Sequence, residues 1–295
     1  MKMHIVEKRK NWFTLSGVLV IGSILAIAIL GLNFGIDFTG GSLLEVETVE
    51  VVDAEQVRSQ MEGLGYTGLS IQSSGDHALI IRSKDLTEEE HQELLGTLAT
   101  VAGELEEMRF DSIGPVIGNE LRRTASIGVL VTLLLIGLYV AWAFRKVSEP
   151  VASWKYGLLT ILTAFHDVII TVGAFALLGH FYGWEIGTAF VAAALTILGY
   201  SINDTVVVLD RTRENLMRRA ADTFEDTVEL SIKQTFMRSL NTSVTTLLAL
   251  AAIFLLGGDS TRPFALALII GIAVGTYSSL FLASPALVQW ELSKK

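Results

Sequence analysis

Two carboxylates, Asp167 and Asp204, stand inside segments otherwise apolar enough to cross a bilayer, and Arg238 stands at the edge of a third. An ionisable group in hydrocarbon is costly, so each is a functional-site candidate by default. A carboxylate there lowers its cost by taking up a proton, by facing a wet cavity or by pairing with a cation. Each of those options is also a step of proton transfer. Asp204 is the leading candidate carrier, Arg238 its cation, and Asp167, next to His166, a further member of the path.

Polar residues flank these groups at helical spacing. Thr160, Thr163, Asp167 and Thr171 share one side of a helix, as do Thr196, Tyr200, Asn203 and Asp204, and Arg238, Thr242, Thr245 and Thr246. Gly271 and Gly275 form a small-x-x-x-small face that continues to Ser278 and Ser279. Such stripes must face protein or water. The plainer readings are that threonines bond to their own backbone, that Arg238 snorkels to headgroups, and that His166 is a packing residue. With a rise of about 1.5 Å per residue, Asp204 lies roughly 9 Å outward from Asp210, so an encounter with Arg238 is geometrically allowed. The chemistry is proton carriage; no covalent step, and hence no enzyme, is implied.

The elements that must hold these groups are membrane spans. The chain of 295 residues is 51% hydrophobic and 18% charged, with a mean hydropathy of +0.52, which marks a polytopic membrane protein. A span needs about 20 apolar residues, and segments 13–32, 124–144, 154–178, 186–209, 240–257 and 263–290 qualify. Of the 22 lysines and arginines, 15 fall in the N-terminal stretch 1–12, the 145–155 region, the 210–239 loop and the 291–295 tail. These alternate in topology, so both termini are expected in the cytoplasm. The stretch 33–123, with 18 acidic and 6 basic residues, then lies outside. The apolar run from Leu15 to Leu32 is too long for a cleaved signal and reads as an anchor. Without cysteine there is neither disulfide nor thiolate site, and the five histidines lack ligand spacing, so no metal or cofactor is expected.

Within 33–123, a strand at Ser42–Thr48, a helix from Asp53 to Gly65, a hairpin of 69–72 and 78–82 about Ser74-Gly75-Asp76, a helix capped by Thr87 and Glu90, and a strand at Leu105–Ile113 follow in turn. The order β-α-β-β-α-β is the ferredoxin-like split motif. The 210–239 loop, with Leu216, Phe224, Val228, Ile232 and Phe236 at near-helical spacing, reads as an amphipathic helix or helix pair along the inner membrane face, most simply a connector packed on the bundle. The expected fold is therefore an α-helical polytopic membrane protein with six transmembrane helices and one small α+β ferredoxin-like extracytoplasmic domain between the first two.

Five blocks in this order, Phe34-Gly-Ile-Asp-Phe-Thr-Gly-Gly41, Ile113 to Leu121, Phe165-His-Asp167, Gly199 to Asn215 and Arg238 to Ser243, resemble the bacterial protein-export membrane proteins of the SecF family, relatives of the resistance-nodulation-division transporters. The resemblance spans nearly the whole chain. It implies an inner-membrane subunit that pairs with SecD, serves the SecYEG translocon, and uses the proton motive force to promote late movement of unfolded preproteins. It also matches Asp204 and Arg238 to the family's intramembrane pair and Asp167 to its His-Asp pair. Gly35, Asp37, Gly40 and Gly41 of the first block, with Gly114, Pro115 and Gly118 of the second, are then hinge or structural-motif residues. The first block reads equally as a glycine-dependent exit from the membrane or as a substrate contact. Two rivals stand beside this reading: a stand-alone proton-driven efflux transporter of small amphiphiles, and a passive scaffold.

Overall fold

The computed structural model describes residues 4–75, 77–145, 151–258 and 261–293. Lys2, Asp76 of the expected hairpin turn, Lys146 and the tail lysines Lys294 and Lys295 lie outside the described residues. Two compact units are present, 34–125 and the remainder of the chain.

In the first unit a short helix, α2 (Ile36–Thr39), precedes β1 (Gly41–Thr48). α3 (Ala54–Gly63), β2 (Ser70–Ser74), β3 (Ala78–Ser83), α4 (Glu88–Ala102) and β4 (Leu105–Ile113) follow. The antiparallel sheet has the order β2-β3-β1-β4, which is the split motif expected. Alternation sends Leu44 and Val46 of β1 and Leu79 and Ile81 of β3 to one face, where Val57, Met61, Leu94 and Leu98 of α3 and α4 cover them. Asp53 caps α3 through the amide of Glu55, and Thr87 and Glu90 close a reciprocal capping box at α4.

The other unit is helical. Six stretches are long and apolar enough to span: α1 (Arg9–Leu30), α5 (Pro115–Ala143), α6 (Ser153–Tyr182), α7 (Thr188–Met217), α8 (Phe224–Leu256) and the sixth from Arg262 to Leu292. Of α5, this unit holds the part from Ser126 onward. Small residues bring them together. A Cβ on Gly173 of α6 would collide with Ser23 of α1. On the sixth span, one on Gly271 would strike Ile197 of α7 and one on Gly275 would reach Ser201 Cβ at 2.9 Å, so the small-residue face seats α7. α5 instead leaves Leu130, Leu134, Leu135 and Leu138 exposed.

Two features differ from the sequence reading. The 210–239 segment is a helix pair packed on the bundle, and its helices are not separate from the spans: α7 runs on to Met217, α8 begins at Phe224, and only 218–223 turn between them. The periodic apolar residues are the inner ends of these two helices. Val228 and Ile232 pack with Val208, Leu280, Val288 and the N-terminal Ile5 and Val6. The amides of Ile5 and Val6 donate to the Glu229 carboxylate at 3.2 and 2.9 Å, strapping the N-terminus across α8. The sixth span, moreover, is not one α-helix: α9 (Arg262–Ser278) passes into a π-helical turn at Ser279–Ala283 and then α10 (Ser284–Leu292). Pro285 explains the change, because it cannot donate to the carbonyl one turn earlier.

Candidate functional site

Asp204 lies on α7 with 3% of its surface exposed. Its Oδ2 and the Oγ of Ser239 on α8 are both buried and lie beside each other, short of a well-formed hydrogen bond. Arg238, the residue before Ser239, is the cation whose field Asp204 feels, yet no ion pair joins them among the described residues. Arg238 is itself exposed, as are Asn241, Thr242 and Thr245 on α8 and Thr196, Gly199 and Asn203 on α7. Along each helix these recur every three or four residues, so α7 and α8 each present a polar strip that this chain does not cover. Tyr200 and Thr246, half-buried at its border, approach to 3.3 Å through their hydroxyls. At the inner end Asn215 of α7 donates to Ser231 and Gln234 of α8, both at 2.9 Å, which fixes the register of the two helices.

Asp167 has a different environment. It is fully buried, with Oδ1 2.8 Å from His166 Nδ1. Its Oδ2 accepts from Ser201 of α7 and, at 2.8 Å, from Ser278 of α9. The α6 stripe therefore closes inside this chain. Its threonines serve their own backbone: Thr160 donates to the Tyr156 carbonyl, Thr163 to Leu159 and Thr171 to Asp167, at 2.8 to 2.9 Å. Thr242, Thr245 and Thr246 do likewise. Beside this cluster Thr205 Oγ1 and Ser279 Oγ meet at 2.9 Å. Ser201, Ser239 and Thr205 are the side chains that pattern reasoning passed over. Ser201 stands one helical turn before Asp204 and Thr205 directly after it, which was a local signal, whereas Ser239 comes from another helix.

The glycine blocks meet in the first unit. Gly40 and Gly41 adopt φ of 74° and 124°, which glycine alone tolerates. A Cβ on Gly40 would stand 2.7 Å from Pro115 Cα, one on Gly41 2.5 Å from the Ser83 carbonyl oxygen, and one on Gly118 2.9 Å from the Gly40 nitrogen. The second block thus packs against the first. Gly35 is the extended N-cap of α2 and Asp37 lies in its first turn, while a side chain at Gly114 would meet open space.

Residues 94–293 match the family described as protein export membrane protein SecD/SecF, C-terminal, and residues 25–49 match the SecD/SecF GG motif. The chain is 40% identical to the protein translocase subunit SecF of Thermobaculum terrenum and 36% identical to that of Anaerolinea thermophila, covering 98% of this chain and 94% of the relative in each case. It superposes on the crystal structure of SecDF, a translocon-associated membrane protein from Thermus thermophilus, with a TM-score of 0.88 at 35% identity. That alignment takes in 99% of this chain but 39% of the SecDF chain. With the glycine blocks, the intramembrane carboxylates and the six-helix framework all present, the chain belongs to the SecD/SecF family of protein-export membrane proteins.

Proposed function

We propose that this chain is the SecF-type subunit of a bacterial protein-export translocase and that Asp204 couples proton passage to its conformation. The reading rests above all on one observation: a buried carboxylate midway along an apolar helix, without an ion pair among the described residues and with the Ser239 hydroxyl of α8 beside its Oδ2. Protonated, Asp204 is neutral and suits that dry setting; ionised, it draws on Arg238 or water. The protonation state then biases the packing of α7 against α8, and a biased two-state element is what coupling requires. No bond of the preprotein is made or broken, so the chain acts without being an enzyme.

The exposed polar strips on α7 and α8 call for a cover that lipid cannot give. A SecD-type mate with related helices supplies one, as in transporters built from two halves. The SecDF relative, of which this chain matches 39%, carries additional sequence in the same polypeptide. In this reading the complex sits in the inner membrane with both termini cytoplasmic, and SecYEG delivers the unfolded preprotein whose late movement it promotes.

The test is preprotein translocation in inverted vesicles carrying Asp204→Asn, with subunit levels verified and the proton gradient present or dissipated. The gradient-stimulated component is expected to vanish while the remainder persists. Full retention of the stimulated component would remove Asp204 from the path and leave a scaffold.

A further inference from the structure

His166 and Asp167 have a geometry that the Asp204 site does not use. Asp167 is 0% exposed and His166 6%. The carboxyl group is bonded from three helices: Oδ1 to the imidazole Nδ1 on α6, and Oδ2 accepting from Ser201 on α7 and Ser278 on α9. His166 Nε2, on the far side of the ring, is buried with no partner. The other groups facing the pair are uncharged. From α9 the Tyr277 ring lies 6.4 Å from the imidazole, its hydroxyl engaged with Ser16 of α1 and the Trp12 carbonyl. On α7 the titratable groups flanking Ser201 are Tyr200, whose hydroxyl approaches Thr246 of α8, and Asp204, one turn on. Among the described residues no lysine or arginine pairs with Asp167, whose one ion-pair partner is His166.

An ionised aspartate beside a neutral imidazole would therefore leave a net negative charge at a dry three-helix junction. Hydroxyl donors ease that charge but do not cancel it, and Ser278 divides its single hydrogen between Asp167 and the Gly275 carbonyl. We propose that His166 and Asp167 form a second proton-binding site, in which the pair holds one proton more than that charged state and so carries no net charge. The site stands apart from the Asp204 reading and does not depend on it. Its grip is set by the helices around it: Ser278 is the last residue of α9 before the π-helical turn, and Ser201 precedes Thr205, which the turn's Ser279 touches. Movement of that turn adds or withdraws a donor to Asp167, and with it the pair's hold on the proton.

His166-Asp167 is the one His-Asp dipeptide in the chain, so isotope labelling of histidine and aspartate assigns it without substitution. Solid-state NMR of the full chain in bilayers at neutral pH is expected to show one of two patterns. These are an imidazolium beside a carboxylate, or a neutral imidazole beside a carboxylic acid. Alkalinisation should remove the extra proton in a single step reported by both residues, because they titrate as a unit. A neutral imidazole beside a carboxylate at neutral pH overturns the proposal, as does an imidazolium beside a carboxylic acid. The Asp204→Asn chain should give the wild-type pattern, and loss of the pair's proton in that variant would refute a separate site. A failure of the Asp204 reading registers in the translocation assay and leaves these spectra unchanged.

Discussion

Gly41→Ala sets the conformational demand of the glycine block against its sequence label. The native φ of 124° is closed to alanine at a cost of about 1–3 kcal/mol. The added Cβ would stand 2.5 Å from the Ser83 carbonyl oxygen, which is backbone of the paired strand β3 and cannot swing aside. Relieving such a contact costs a further 1–3 kcal/mol or so. The lower entropy of the unfolded alanine chain returns about 0.4–1 kcal/mol. The net is about 2–5 kcal/mol, or roughly thirtyfold to a few thousandfold in the local opening equilibrium, since about 1.4 kcal/mol is tenfold. Hydrogen exchange of the full chain in nanodiscs, followed by mass spectrometry over 41–48 and 78–83, reads that change directly. Gly114→Ala is the matched control, because its Cβ meets nothing within 4 Å. Its exchange should stay within a fewfold of the parent. Unchanged protection in Gly41→Ala, or equal loss in both variants, would refute the argument from φ and contact.

The same contrast applies in the membrane: Gly173→Ala, which drives a Cβ into Ser23 of α1, should cost about 1–3 kcal/mol, while Gly199→Ala, with open space around it, should leave the thermal midpoint in detergent near that of the parent. Glu229→Ala removes the acceptor of the Ile5 and Val6 amides and should loosen the N-terminal strap by about 1.5–3 kcal/mol. Faster tryptic cleavage at Lys8 to Lys10 is the readout. The Glu90 carboxyl is held below its usual value of 4.5, first by the Thr87 amide and then by the Thr87 hydroxyl. A carboxylate with a depressed folded pKa stabilises above its unfolded pKa and ceases to as pH falls through the folded one. The first turn of α4 should therefore fray on acidification below the ordinary carboxylate range, and Glu90→Gln should flatten that dependence in the exchange of the 88–92 amides.

The periodicities that placed the sheet, its two covering helices and the six apolar stretches are local, and so they survive in sequence. What failed to show was set by partners distant in the chain. The charges that begin at Asp210 suggested that a helix ends where the membrane does, but backbone hydrogen bonding takes no account of the bilayer edge. α7 continues two turns to Met217. The sharper signal was Thr223 with Asp226 three residues on, whose side chain and backbone close the N-terminus of α8. The π-helical turn had its cue in Pro285. Whether a mid-span proline kinks, breaks or widens a helix depends on the neighbours that accept the freed carbonyls.

The two carboxylates mark the limit of pattern reading most clearly. Both stood on polar stripes, and a stripe says only that something other than lipid must face it. Around Asp167 that something is this chain itself, because Ser201 and Ser278 arrive from helices α7 and α9 and the α6 threonines turn back on their own carbonyls. Around Asp204 the cover is partial: Ser239 of α8 lies beside its Oδ2 without a well-formed bond, while Asn203, the preceding residue, belongs to an exposed strip. Adjacent residues of a helix do not ordinarily face each other, so the sequence pairing of His166 with Asp167 carried no prediction of the bond between them. A well-bonded buried acid resists change until a helix moves, whereas a poorly bonded one behind an uncovered strip responds to whatever covers that strip. Asp204 is thus the group whose chemistry a partner can set, and Asp167 the group whose chemistry the fold of this chain sets alone.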